Sequence, residues 1–294
     1  MMSIYLEKFT PSARQISNCY KLSNLHKKDE MVRIGILNLM PNKLETELQF
    51  LNIFSRLPFD ISLYFIRLEK YVPKNCSADY LGNHYIGYSQ IQNAGLDGLI
   101  ITGAPVELKQ FEEVDYWEEL TCVMEIAKKH IKSTIYICWA ALAGLYYHYG
   151  IEKQNVEKKV FGVFKHNVKD PEHELFKGFD DEFFAPHSRH SEIREEDIEE
   201  KHSLEILSTS DEAGVFMVSD KACNNIFITG HLEYDAETLK KEYERDLNLG
   251  KPIQIPEGYF DNNNPNTTPK MKWKSYCTLF YTNWIFEYLK RART

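Results

Sequence analysis

The stretch TIYICWAALAGLYYHYG, residues 134–150, changes character at its fifth residue. Thr134-Ile135-Tyr136-Ile137 is an apolar, β-branched run of strand composition, whereas Ala140, Ala141, Ala143 and Gly144 keep the following turns small enough to pack a helix closely on a sheet. Cys138 falls between the two. At the start of a helix, unpaired N–H groups and the positive dipole end favour a thiolate. The same N–H groups suit an oxyanion: the backbone amide of Trp139 is one candidate donor, with a second from the turn at Gly103 and Ala104. A buried thiol acting as a small hydrophobe is the other reading of this stretch.

Working outward, residues 32–39 (VRIGILNL) form an apolar run of strand length. Beyond Pro41, Leu44, Leu48, Leu51 and Phe54 recur at helical spacing over residues 43–56. Residues 61–68 (ISLYFIRL) repeat the strand signature, and a polar, tyrosine-rich connection leads to residues 96–102 (LDGLIIT), which end at the turn Gly103-Ala104-Pro105. A helix over residues 112–130 then delivers the chain to Thr134. Strands apolar throughout, separated by helices, predict an α/β fold with a parallel sheet flanked by helices. Ligands gather at the carboxyl ends of such strands, where Gly103 and Cys138 both lie.

Beyond Gly150 the pattern shifts to short strand candidates at residues 160–164, 183–185, 204–208, 215–218 and 226–229, so the C-terminal half is richer in β structure. Helices are expected over residues 236–249, stopped by Gly250, and over 271–290, where Trp273, Cys277, Phe280, Trp284 and Tyr288 make an apolar stripe suited to core packing. Residues 261–269 (DNNNPNTTP) read as a loop. No repeat or linker divides the chain, so residues 31–294 are expected as a single α/β domain, preceded by a polar N-terminal arm over residues 1–30.

The 294 residues are 43% hydrophobic, enough for a sizeable core. No apolar run approaches the roughly 20 residues of a membrane span, and MMSIYLEKFTPSARQ lacks the order of a secretory leader, so a cytoplasmic protein without membrane association is expected. A net charge of −8 without a basic cluster argues against nucleic acid as a partner. The strongest charge run, residues 194–201 (REEDIEEK), is acidic and fits a solvated helix face. Cys19, Cys76, Cys122, Cys138, Cys223 and Cys277 show no C-x-x-C spacing, and the histidines no H-E-x-x-H spacing, so no metal is expected. Glycine-rich phosphate loops are absent, which leaves nucleotide cofactors without support.

A second segment bears on Cys138. In residues 226–235 (IFITGHLEYD) an apolar strand ends at Gly230, with His231 and Glu233 directly after it. Side chains two apart on an extended backbone point the same way, so Glu233 would hold the His231 imidazole while its other nitrogen faces the thiol. A lone H-x-E also fits a histidine that merely closes a turn. Cys138 and His231 each follow a strand at the same edge of the sheet, and the order Cys, His, Glu fits an acyl-transfer triad.

Residues 38–47 (NLMPNKLETE), 102–105 (TGAP), 138–140 (CWA), 185–189 (APHSR), 230–235 (GHLEYD) and 280–284 (FYTNW) together resemble the homoserine O-acyltransferases of bacterial methionine biosynthesis, over nearly the whole chain. The resemblance implies a class I glutamine amidotransferase-like, flavodoxin-like fold. It also implies a ping-pong homodimeric enzyme in which Cys138 takes an acyl group from an acyl-CoA as a thioester and L-homoserine removes it, with no metal or resident cofactor. His231 is then the proton-transferring base, Glu233 its partner, and Lys159, Ser188 and Arg245 contact substrate. Arg245 has the donor geometry to grip a carboxylate bidentately. In this family a glycine or a glutamate two residues after the G-A-P proline goes with succinyl or acetyl transfer. That residue is Glu107, which favours acetyl-CoA, since a carboxylate there repels the far end of a succinyl group. Leu232 departs from the family's usual proline between His and Glu, which frees one φ angle and adds an N–H. Succinyl transfer, an amidotransferase-like hydrolase acting on glutamine, and an inert binding protein of the same fold are the competing readings.

Overall fold

The computed structural model describes residues 4–16, 31–73, 75–222 and 224–290, so Cys19, Cys223 and residues 17–30 of the expected arm lie outside the described residues. Eleven strands are present among those residues: β1 (Ile4–Leu6), β2 (Val32–Leu37), β3 (Ile61–Arg67), β4 (Ile86–Gly87), β5 (Gly98–Ile101), β6 (Ser133–Ile137), β7 (Gln154–Val168), β8 (Glu182–Glu192), β9 (Leu204–Ser210), β10 (Gly214–Asp220) and β11 (Asn225–Ile228). They make one sheet in the order β1-β3-β2-β5-β6-β11-β10-β9-β7-β8, with β4 beside β3. From β1 to β11 the pairings are parallel; from β11 to β8 they are antiparallel. The β-rich half therefore continues the parallel sheet through β11.

The helices are α1 (Pro11–Ile16), α2 (Lys43–Phe54), α3 (Ala78–His84), α4 (Ile91–Ala94), α5 (Trp117–His130), α6 (Trp139–Tyr149), α7 (Glu195–Glu199), α8 (Thr238–Asn248) and α9 (Lys274–Trp284). Successive residues of a strand face opposite sides, and both sides are covered here. Ile34, Ile36, Ile100 and Ile135 pack with Phe50 and Phe54 of α2 and Phe280 and Trp284 of α9. On the other face Leu37, Leu99, Ile101 and Tyr136 pack with Val123 and Met124 of α5 and Ala141 and Leu145 of α6. Gly144 sets how closely α6 lies on the sheet. A methyl group there would come within 2.7 Å of Phe227 and 2.9 Å of Tyr136.

Several elements differ from expectation. Ile4–Leu6, from the segment expected as an arm, is a strand paired in parallel with β3, and Ala13 and Ile16 of α1 join the core. Three residues of strand carry too little pattern to be read in sequence. The polar connection before β5 contains α3, started by Ser77, whose hydroxyl accepts the Tyr80 N–H. The helix expected from residue 112 begins at Trp117, because residues 111–113 form a separate 3₁₀ turn. The strand expected at 160–164 is the middle of β7 and that at 183–185 the start of β8, and the two elements extend well past them as a long antiparallel ribbon. The acidic run does supply α7, in which Ile198 alone is buried.

Candidate active site

Cys138 is the residue between β6 and α6. Its amide donates to Ile228 O of β11 (2.7 Å), and its carbonyl accepts from Ala141 (2.9 Å) and Leu142 (3.3 Å), starting the helix. These bonds hold it at φ 53° and ψ −118°, a positive-φ conformation costly for any residue with a side chain. Trp139 and Ala140 occupy the first helical turn, where backbone N–H groups have no intrahelical acceptor. The sulfur thus stands over the amino end of α6.

Two neighbouring strands supply the rest. Gly103 follows β5, and a methyl group built on it would lie 3.2 Å from Cys138 Cβ and 3.5 Å from His231 Cε1. A bare glycine leaves that gap beside both side chains unfilled. His231 follows β11, its N–H donating to Pro186 O (2.8 Å), while Gly230 is pressed between Pro186 O and the Phe216 ring with no room for a side chain. The His231 side chain lines the same cavity as Cys138, and its Nδ1 lies 2.7 Å from Glu233 Oε1. Residues 232–233 form a turn rather than the extended segment expected, and the turn brings imidazole and carboxylate together instead. The Tyr234 ring stacks on the imidazole at 4.0 Å. Burial disfavours charge on His231, yet the Cys138 sulfur and the Glu233 carboxylate outweigh it and hold its pKa well above the ordinary 6.5.

A cavity of about 350 Å³ opens over Cys138 and His231, and Gly103, Ala104, Glu107, Lys159, Ser188 and Arg245 all line it. Lys159 reaches the cavity because the β7–β8 ladder slips. Between the pairs Asn155↔Ser191 and Val160↔Arg189, residues 156–159 of β7 stand opposite the single His190. Such a bulge re-aims a side chain that a regular strand would point elsewhere. The Lys159 ammonium lies 3.9 Å from both Glu242 and Asp246 and 4.2 Å from the Phe161 ring centre. Burial lowers its pKa, against the pull of the two carboxylates.

Glu242 and Asp246, on α8, organise this side of the cavity, and reading the sequence did not single them out. Glu242 accepts from Ser188 Oγ (2.5 Å) and Tyr234 OH (2.8 Å). Asp246 holds Arg245 by two hydrogen bonds (2.9 and 3.0 Å) and lies 3.4 Å from Lys251. The fork expected to grip a substrate carboxylate is thus engaged by a protein carboxylate. Their signal was present: Glu242 and Asp246 sit three before and one after Arg245. Glu233 and the Trp139 side chain do not line the cavity. Glu233 stands behind the imidazole, and Trp139 is buried among Phe111 and Tyr116.

A buried cysteine at positive φ thus shares a cavity with a carboxylate-held imidazole at the carboxyl edge of the parallel strands, on a scaffold that is class I glutamine amidotransferase-like. A solved glutamine amidotransferase from Thermotoga maritima superposes with a TM-score of 0.56 at 10% identity, covering 90% of this chain and 100% of that one. One from Methylobacillus flagellatus gives 0.55 at 12% identity, covering 90% and 97%. The chain belongs to the homoserine O-succinyltransferase family of acyltransferases, whose model matches residues 13–293. Its relatives include proteins named homoserine O-acetyltransferase from Petrotoga mobilis, 49% identical over 90% of this chain and 85% of that one, and from Bacillus cereus, 43% identical over 98% and 97%.

The gap at Gly103 makes a prediction. Gly103→Ala is expected to lower kcat/KM roughly 30-fold while leaving the melting temperature nearly unchanged, because the methyl fills reacting space rather than core. Steady-state kinetics beside thermal denaturation check this, and unaltered turnover would remove Gly103 from the site.

Proposed function

We propose that the protein transfers an acetyl group from acetyl-CoA to the side-chain hydroxyl of L-homoserine through a thioester on Cys138. The observation that carries this is the Cys138–His231–Glu233 chain opening into a cavity walled by Glu107. In the first half-reaction the thiolate attacks the acetyl-CoA carbonyl; the C–S bond to CoA breaks, and the departing sulfur takes the proton held by the His231 imidazolium. In the second, the homoserine hydroxyl gives its proton to the neutral imidazole as its oxygen attacks. The C–S bond to Cys138 then breaks and the ion pair returns. Glu233 accepts the Nδ1–H bond and stabilises the imidazolium throughout. Backbone N–H groups at Trp139 and the Gly103-Ala104 turn face the oxygen that becomes negative. Lys159, Ser188 and Arg245 bind the amino-acid acceptor, with Arg245 exchanging Asp246 for the substrate carboxylate.

Acetyl rather than succinyl transfer rests on Glu107. A carboxylate at the cavity wall repels a second carboxylate at the end of the acyl chain. The succinyl reading draws on the family's description, so the two CoA esters should be compared directly. Glu107→Gly is expected to raise kcat/KM for succinyl-CoA about 10-fold relative to acetyl-CoA. The overall reading is tested by incubating the protein with acetyl-CoA and measuring its intact mass. The gain of one acetyl group, discharged by homoserine, is expected; no gain refutes it. The cytoplasmic location, a single α/β domain that takes in the strand and helix of residues 4–16, and the homodimer belong to the same proposal. Two observations bear on the first two: among the described residues no helix is long and apolar enough to cross a membrane, and one sheet runs through both halves.

A further inference from the structure

The loop leaving β5 carries two parts of the proposed site: Gly103 against the Cys138 side chain and, four residues on, Glu107 at the cavity wall. Within the loop, Val106 N–H donates to Ala104 O (2.9 Å) and Lys109 N–H to Val106 O (3.0 Å). A further hold comes from Lys153, beyond the end of α6, whose ammonium donates to the Glu107 carbonyl at 2.7 Å. That ammonium also lies 5.7 Å from the Phe111 ring centre, and Phe111 is itself stacked with Trp117 and with Tyr146. The one ammonium therefore meets both an aromatic cluster and the backbone of the residue proposed to choose the acyl donor.

We propose that Lys153 is a positioning residue for acyl-donor choice: it fixes the Glu107 backbone so that the carboxylate stands at the end of the acyl group. This rests on the reading of Glu107 given above. Titratable groups that interact with the Glu107 charge include Lys153 itself, Lys159 and His190, on the segment joining α6 to β7, on β7 and on β8, and Lys109, Arg245 and Lys251 line the same cavity. A tie and a mere counter-charge make opposite predictions. Without a tie, Glu107 swings away and succinyl-CoA is excluded less well; without a counter-charge, its field strengthens and succinyl-CoA is excluded better.

The experiment compares kcat/KM for acetyl-CoA and succinyl-CoA in Lys153→Met, Lys153→Arg and Glu107→Gly. The acetyl preference is expected to fall about fivefold in Lys153→Met, of the order of one lost charge-assisted hydrogen bond, and to return within about twofold in Lys153→Arg. A general structural role would lower both rates together and leave the ratio unmoved. An unchanged or increased acetyl preference in Lys153→Met overturns the proposal. An unchanged preference in Glu107→Gly instead overturns the underlying reading of Glu107, which keeps the two failures apart.

Discussion

Replacing Cys138 by alanine is expected to lower kcat/KM by on the order of 10⁴-fold or more and to abolish the acetyl-enzyme mass species. The loss is of this size because the sulfur alone divides the transfer into two steps; without it, homoserine must attack acetyl-CoA directly in a cavity shaped around an intervening atom. Alanine keeps the side-chain branch at φ 53° and hence the strain of the turn, and it removes only a small buried atom. Folding should therefore survive with a change of about 1 kcal/mol, seen as a small shift in melting temperature. Activity and fold are thus read separately. Acetyl label retained by Cys138→Ala would move the nucleophile elsewhere.

Glu233→Gln is expected to cost about 10³-fold, and His231→Ala at least as much. The amide keeps the shape beside Nδ1 but not the charge, and the charge, together with the sulfur, is what lifts His231 above its ordinary value despite burial. Removing it lowers that pKa. The imidazolium needed to protonate the leaving CoA sulfur is then lost at lower pH, so the alkaline limb of the rate profile for thioester formation shifts downward. Stopped-flow acetylation across a pH series checks this, and a profile that keeps its alkaline limb would detach Glu233 from proton control. The linkage has a matching sign in stability. With the folded pKa raised above 6.5, the pair stabilises the fold fully below that pH and the contribution is lost as pH climbs through the raised value.

What the sequence disclosed was local. Ile135, Ile137, Ala140 and Gly144 mark the strand, the turn and the close-packed helix around Cys138 because each choice is dictated within a few residues of it. The H-x-E pair was legible for the same reason, although the backbone joining it turns where an extended path was expected. Long-range partnerships were not. Nothing near Lys159 announces the four-against-one bulge that carries it to the cavity, because a bulge is defined by the facing strand. Glu242 and Asp246 gain their place in the site only when Ser188, Tyr234 and Arg245 are brought to them by the fold. The edge strand at Ile4–Leu6 is likewise visible only once β3 is there to pair with it.

The parallel register that sets Ile228 beside Ile137 has a mechanical outcome. Sulfur and imidazole follow two adjacent central strands, β6 and β11, clasped by the Cys138 amide to Ile228, so they cannot drift apart without tearing the middle of the molecule. Heat inactivation should then coincide with global melting, leaving no folded but disarmed form. Any physiological throttle on such an enzyme has to act at the mouth of the cavity, on what enters, and not on the distance between its reacting atoms.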